Sequence, residues 1–226
     1  SSEELSAEIL NTLKSYVKDE NIHSAIVTVP AKFTSNQKDA TLRAASLAGI
    51  LHCELLQEPI AAAMAYGLTS DNTEGYLLVF DFGGGTFDAA LLEVTEGIMK
   101  VIDTEGDNYL GGKNLDMAIV DEIIIPYLEE NNSVDLFLES EAKKSALQDA
   151  MKFFAEETKV QMSFSETHNI LTDLGVIPGE DDDGEEFELD ITVTQDMMRE
   201  IVGPIFQKSV DITKALLERN HVDNSA

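Results

Sequence analysis

Asp81-Phe82-Gly83-Gly84-Gly85-Thr86-Phe87-Asp88 is the stretch on which the reading of this chain turns. Apolar runs lie on both sides of it, which places the octad at a hairpin turn between two strands. Three consecutive glycines carry a conformational-entropy cost that a plain hairpin has no need to bear. Their benefit is a backbone that can approach a ligand closely and aim several N–H groups at one point. Such a nest binds anions, phosphates above all. Asp81 and Asp88 would repel a bare phosphate, but they make sense if a hydrated Mg²⁺ stands between. Thr86 adds a hydroxyl beside the turn. No Gly-Lys-Ser/Thr follows, and the turn leads into a strand instead of a helix, so the octad is not a Walker loop.

Outward from the octad, three strand signals follow one another: Tyr76 to Asp81, Thr86 to Val94 and Ile98 to Asp103. Glycine-rich or acidic turns separate them, the signature of an antiparallel meander. Upstream, Leu5, Ile9, Leu13 and Val17 recur at helical spacing behind Glu3 and Glu4, acids that suit a helix N-terminus. Ala25 to Val29 reads as a strand stopped at Pro30. Thr34 or Ser35 caps a helix carrying Ala40, Ala44, Leu47 and Ala48, which Gly49 closes. A second strand near Cys53 to Leu56 feeds a helix opening at Glu58-Pro59, where proline suits the first helical position. Up to about Ser70 the pattern is βαβα-like, and the polar connection Thr69 to Gly75 is the expected boundary between lobes.

Downstream, a helix is expected from about Gly112 to Glu130, with Leu115, Ile119 and Ile123 inward and a kink at Pro126. A longer one runs from Glu141 to Met162, with Leu147, Met151 and Phe154 on its apolar face. Strands near Asn169 to Leu174 and Phe187 to Val193 bracket the acidic stretch Glu180 to Glu186. A last helix, Gln195 to Asn220, is expected to bend at Gly203-Pro204.

The composition narrows the function classes. Of 226 residues, 43% are hydrophobic and 26% charged, an ordinary globular balance. The net charge of -28 is not ordinary, and it opposes nucleic acid and membrane as partners. ATP remains compatible, because backbone N–H groups and Mg²⁺ can supply positive potential locally. The single cysteine, Cys53, forbids an internal disulfide and reads as a small buried hydrophobe. No run approaches the roughly 20 apolar residues of a membrane span, and no signal peptide is visible behind Ser1. His23, His52, His168 and His221 show no metal-ligand spacing. Glu180 to Glu186 reads as a solvated acidic turn, since a calcium loop would need an acid at Gly179 and helices on both sides.

With these motifs in place, the octad resembles the second phosphate loop of the actin-like ATPase superfamily, in the wording of the DnaK-type, seventy-kilodalton heat-shock chaperones. Other stretches agree in the family's order. Val27-Thr28-Val29-Pro30-Ala31, with Phe33 and Gln37, resembles the strand and turn that hold its switch proline. Glu58-Pro59, with Ala61-Ala62-Ala63 and Ala65-Tyr66-Gly67-Leu68, resembles the helix opening whose glutamate reaches the metal. Gly106-Asp107, with Leu110-Gly111-Gly112 and Asp116, resembles the turn entering the second lobe.

The resemblance implies an α/β, ribonuclease H-like, actin-like ATPase fold: two lobes, in part, with mixed sheets flanked by helices. Residues 1–74 would complete the lower part of lobe I. Residues 75–226 would form lobe II, with 75–112 and 195–226 its lower part and 113–194 its upper part. Glu58 and Asp81 would hold Mg²⁺ through water, and Asp81 would help orient the attacking water. Thr86 would sit near the γ-phosphate of ATP, Asp88 near a metal or K⁺, and Gly83, Gly84 and Gly85 on phosphate oxygens. Pro30 would relay nucleotide state to a substrate domain, with Lys38 where relatives often carry arginine. Glu156, Lys159 and Ser163 match the family's adenosine contacts, although on spacing alone they also read as a solvated helix face.

The implied function is ATP or ADP binding and ATP hydrolysis in a cytoplasmic stress-response chaperone that binds unfolded polypeptides. A J-domain co-chaperone and a nucleotide-exchange factor would be its partners. The resemblance implies that the family's first phosphate hairpin and catalytic lysine would precede Ser1, and that its last adenine loop and its peptide-binding domain would lie beyond Ala226. Weak nucleotide binding and negligible turnover are therefore expected of the chain as it stands. The rival readings are a non-catalytic scaffold of the same fold, a sugar or acetate kinase of the superfamily, and an actin-like filament protein. Four departures, Gln57, Lys32, Lys113 and Val160, spare the metal-facing carboxylates but bear on coupling to other domains.

Overall fold

The computed structural model describes residues 1–17, 22–67, 74–177 and 179–222. They form two compact units, residues 1–109 with 211–226, and residues 110–210. Most of the polar connection expected at 69–75 lies outside the described residues, as does Leu68 at the end of its helix motif.

In the first unit, helices α1 (Ser2–Ser15) and α2 (Ser35–Leu47) accompany a parallel pair of strands, β1 (Ser24–Val29) and β2 (His52–Gln57). Thr34 caps α2 in a reciprocal box with Gln37. Gly49, at φ +77°, ends it in the left-handed conformation that glycine adopts without strain. Lys14 donates to the Ala48 carbonyl at 2.7 Å, and Arg43 pairs with Glu3 at 2.8 Å. The apolar stripe of α1 forms a helix as expected, yet Leu5, Ile9 and Leu13 are 70%, 63% and 53% exposed, and the buried residue is Ala7. Helical periodicity identifies a helix without saying which face is covered.

Helix α3 (Glu58–Gly67) begins where β2 ends. Its Ala63 packs on Ala90 and Leu92 in the middle of an antiparallel sheet, β3 (Gly75–Phe82), β4 (Phe87–Thr95) and β5 (Ile98–Asp107). Strand β4 is the central strand and is buried along nearly its whole length, hence its almost unbroken apolar wording. β5 runs on to Asp107, beyond the expected end at Asp103, because Glu105 and Gly106 continue the pairing with β4. Cys53 is half-buried, and burial pushes its thiol pKa up.

The second unit opens with α4 (Gly112–Ile119), a π-helical turn at Val120–Ile124, and α5 (Ile125–Asn131). The kink expected at Pro126 takes the form of that wider turn just before it. A proline lacks the N–H that would continue the ladder, and a π-turn absorbs the mismatch. A short helix that the pattern does not signal, α6 (Asp135–Glu139), precedes α7 (Glu141–Met162). The antiparallel pair β6 (Thr167–Leu171) and β7 (Asp190–Thr194) follows, each displaced a few residues from its expected span. The acidic stretch between them has local structural duties. Asp181 accepts from the amides of Ser133, Asp183 and Glu185, and Asp182 accepts from the Leu136 amide in the first turn of α6.

Helix α8 (Gln195–Arg219) carries Pro204 inside it, and its last residues belong to the first unit. There Arg219 holds Asp103 at 2.6 Å and Glu105 at 2.5 Å, while Asn220 donates to Asp103 at 2.8 Å. The Arg219 guanidinium keeps both carboxyl groups at a pKa of about 2. Their folded pKa values lie below the roughly 4 of an unfolded chain, so the stability they contribute is present above pH 4 and is lost as pH falls towards 2. Arg219→Ala should lower stability at neutral pH by about 1 kcal/mol, the scale of a partly exposed pair. In thermal unfolding scans, the gap between variant and parent should close as pH falls through that window.

Candidate functional site

The hairpin of β3 and β4 sets Asp81 directly opposite Asp88 and Phe82 opposite Phe87. Gly83 donates to the Thr86 carbonyl at 2.9 Å and tightens the turn. Opposite residues in an antiparallel pair share a face, and like charges there are destabilising. Asp88 is also buried, 1% exposed. Burial raises its proton affinity, Asp81 raises it further, and hydrogen bonds from the Ala31 and Lys32 amides lower it. The Ala31 bond measures 3.0 Å.

Glu58 stands at the β2–α3 junction. Burial pushes its pKa up, and the charges of Asp81 and Asp88 add to the rise. The structure thus brings together three carboxylates from separate parts of the sequence. A fold gains no stability from that convergence, which is how a site for a cation or a proton is recognised.

The glycines do two different things. Neither Gly83 nor Gly84 takes left-handed backbone, and a Cβ on Gly84 would meet nothing within 4 Å. At Gly84 the turn therefore offers bare backbone to open space, as close approach by a ligand requires, whereas a Cβ on Gly83 would crowd the Thr86 carbonyl at 3.2 Å. Gly106 is the sterically obligatory one: directly opposite Asp88, its Cβ would lie 2.4 Å from the Phe87 carbonyl and 3.1 Å from Asp88 Oδ1. Sequence wording placed Gly106 in a lobe-entry turn, whereas its position in β5 makes room for the buried aspartate. Thr86 and Gly85 are half-buried beside the turn.

Among the described residues, no group of His, Cys, Asp and Glu is arranged to ligate a metal ion directly. The donor set still fits Mg²⁺, an ion that keeps several waters and takes only one or two carboxylates. Glu58, Asp81 and Asp88 would act on it through its water shell. Pro30 is buried at the end of β1, next to the amides that bind Asp88, and Lys38 is half-buried in the first turn of α2.

The remaining candidates lie in the second unit. Lys159 and Ser163 line a cleft of about 440 Å³ with Leu115, Gln195, Met198 and Arg199, within the size range of small-molecule pockets. Glu156, one turn earlier on α7, is exposed and is not among the lining residues. Lys159 is bonded to Asp116 at 2.6 Å, and Ser163 donates to the Lys159 carbonyl at 3.1 Å. That ion pair had no sequence signal, because its members sit on different helices.

The family described as Hsp70 protein matches residues 1–226, the whole chain. The chain belongs to that family of ATP-binding heat-shock chaperones, as part of its ATPase domain, and its mixed sheets with flanking helices are those of an actin-like ATPase fold.

The steric contrast predicts opposite outcomes for two glycine variants in urea unfolding. Gly106→Ala should cost about 2 kcal/mol or more through overpacking. Gly84→Ala should stay within about 0.5 kcal/mol of the parent, as open surface sites do.

Proposed function

We propose that this Hsp70-family chain holds the phosphates and metal of a nucleotide in an ATP-hydrolysing chaperone that couples nucleotide state to the binding of unfolded polypeptides. The observation that carries the reading is the convergence of Glu58, Asp81 and buried Asp88 beside a bare glycine turn. In this reading the N–H groups of Gly84 and Gly85 take phosphate oxygens, with Thr86 near the γ-phosphate, while the Gly83 N–H stays committed to the Thr86 carbonyl and holds the turn in shape. Glu58 and Asp81 hold the waters of Mg²⁺, and Asp81 orients the attacking water. Asp88 faces a metal or K⁺. When bound, Mg²⁺ supplies the positive charge that lets phosphates approach three acids.

Lys159 and Ser163, with Glu156 a turn away, serve as adenosine contacts. Residues 1–74 belong to one lobe and 75–226 to the other. Pro30 and Lys38 carry the state of the site towards a substrate domain, where a J-domain co-chaperone and a nucleotide-exchange factor act. The setting is a cytoplasmic stress response. A scaffold protein of the same fold would have no use for three mutually repelling acids, and that weighs against the non-catalytic reading.

Glu58→Gln separates the readings. The folded pKa of Glu58 is raised, so its charge opposes folding once pH rises above the unfolded value near 4. The variant should therefore unfold at a higher temperature than the parent at pH 7 without ligand, and this gain should vanish below about pH 4. In calorimetric titrations with Mg-ADP at up to millimolar concentration, the same variant should lose about tenfold or more in affinity, roughly 1.4 kcal/mol. A variant that is more stable and binds Mg-ADP like the parent would contradict the role given to Glu58. Absence of binding both by the parent and by a version extended at both ends to complete the two lobes would favour the scaffold reading.

A further inference from the structure

Lys32 is tied down through its amide, its carbonyl and its ammonium alike. Its amide, with that of Ala31, bonds Asp88. Its carbonyl accepts from Asn108 Nδ2 at 3.3 Å. Its ammonium pairs with Glu105 Oε1 at 2.8 Å. Glu105 is itself fixed: Oε1 also accepts from the Gly106 amide at 3.2 Å, and Oε2 is held by Arg219 at 2.5 Å. Neither end of the Lys32–Glu105 pair is fully exposed, with side chains 39% and 27% accessible, so screening by water is only partial.

We propose that Glu105 is a positioning residue for Asp88, acting through Lys32. Anchored on Arg219 and the β5 backbone, Glu105 fixes the Lys32 side chain and with it the turn of residues 30–32. That turn delivers the two amides that hold the Asp88 carboxylate on its face of the sheet. The chain of contacts runs Arg219, Glu105, Lys32, then the backbone of Ala31 and Lys32, then Asp88. Every link lies in the first unit.

Asp103 gives the built-in control. It shares Arg219 with Glu105, but the bonds it makes run to Arg219, Asn220 and the Thr104 amide. Weakening the hold of α8 through Asp103 should therefore leave the turn in place. The step from a positioned Asp88 to a cation rests on the proposed function; the positioning itself does not.

The test is amide hydrogen exchange at Ala31 and Lys32 in the full chain, compared among Glu105→Gln, Lys32→Met, Lys32→Arg and Asp103→Asn. Protection at both amides should fall by about three- to tenfold in Glu105→Gln and Lys32→Met. It should recover in Lys32→Arg, which restores the ion pair, and stay at the parent level in Asp103→Asn. Unchanged protection in Glu105→Gln would overturn the proposal. An equal loss in Asp103→Asn would overturn it too, by showing that any weakening of the α8 anchor suffices. Mg-ADP titration of the same variants adds the functional arm. Affinity should fall in step with protection, and a fall in protection at constant affinity would reject Asp88 positioning as a determinant of cation binding. If neither the parent nor a version extended at both ends bound Mg-ADP, the proposed function would fail while the exchange result still decided the positioning claim.

Discussion

Electrostatic repulsion among Glu58, Asp81 and Asp88 is the constraint around which the first unit is arranged. Asp88 sits almost wholly buried on the central strand, opposite one acid and within the field of another. Burying an ionisable carboxylate without donors is costly. The fold answers with two backbone amides from the β1–α2 turn, a side-chain-free neighbour at Gly106, and a β4 strand whose other residues anchor it in the core. Each device stabilises the arrangement, and none removes the repulsion. In the proposed function, the waters of a divalent cation would offset it.

The second unit solves a different problem. Its cleft mixes apolar lining residues, Leu115 and Met198 among them, with the polar Lys159, Ser163, Gln195 and Arg199. Such a lining, mostly apolar with a few polar groups, is the general make-up of small-molecule pockets. Asp116 fixes the Lys159 ammonium, which keeps a flexible side chain in one geometry before any ligand arrives. The two units thus offer different chemistry: converging charge in one, and a mixed cleft in the other.

Much of this was legible in the residues because the decisive signals are local. The glycine run between apolar strands, the proline after Glu58 and the capping box at Thr34 each act within a few residues, and the elements they announce are present. What escaped is non-local. Gly106 read as part of a turn and Glu105 carried no signal, and only their pairing with β4 turns Glu105 into an anchor and Gly106 into a steric necessity. Lys32 read as a departure from relatives, and its compensation by Glu105 lies far along the chain. The exposed stripe of α1 and the π-turn before Pro126 make the same point: periodicity and proline mark an element, but packing decides which face is covered and how a mismatch is absorbed.

The most direct test of the central claim is a crystal structure of the chain grown or soaked with millimolar Mg-ADP. The account predicts phosphate density over Gly84, within hydrogen-bond reach of the turn amides. It also predicts a hydrated ion whose waters touch Glu58, Asp81 or Asp88. Nucleotide bound elsewhere on the unit, or a phosphate at the turn with no ion beside the three carboxylates, would contradict it.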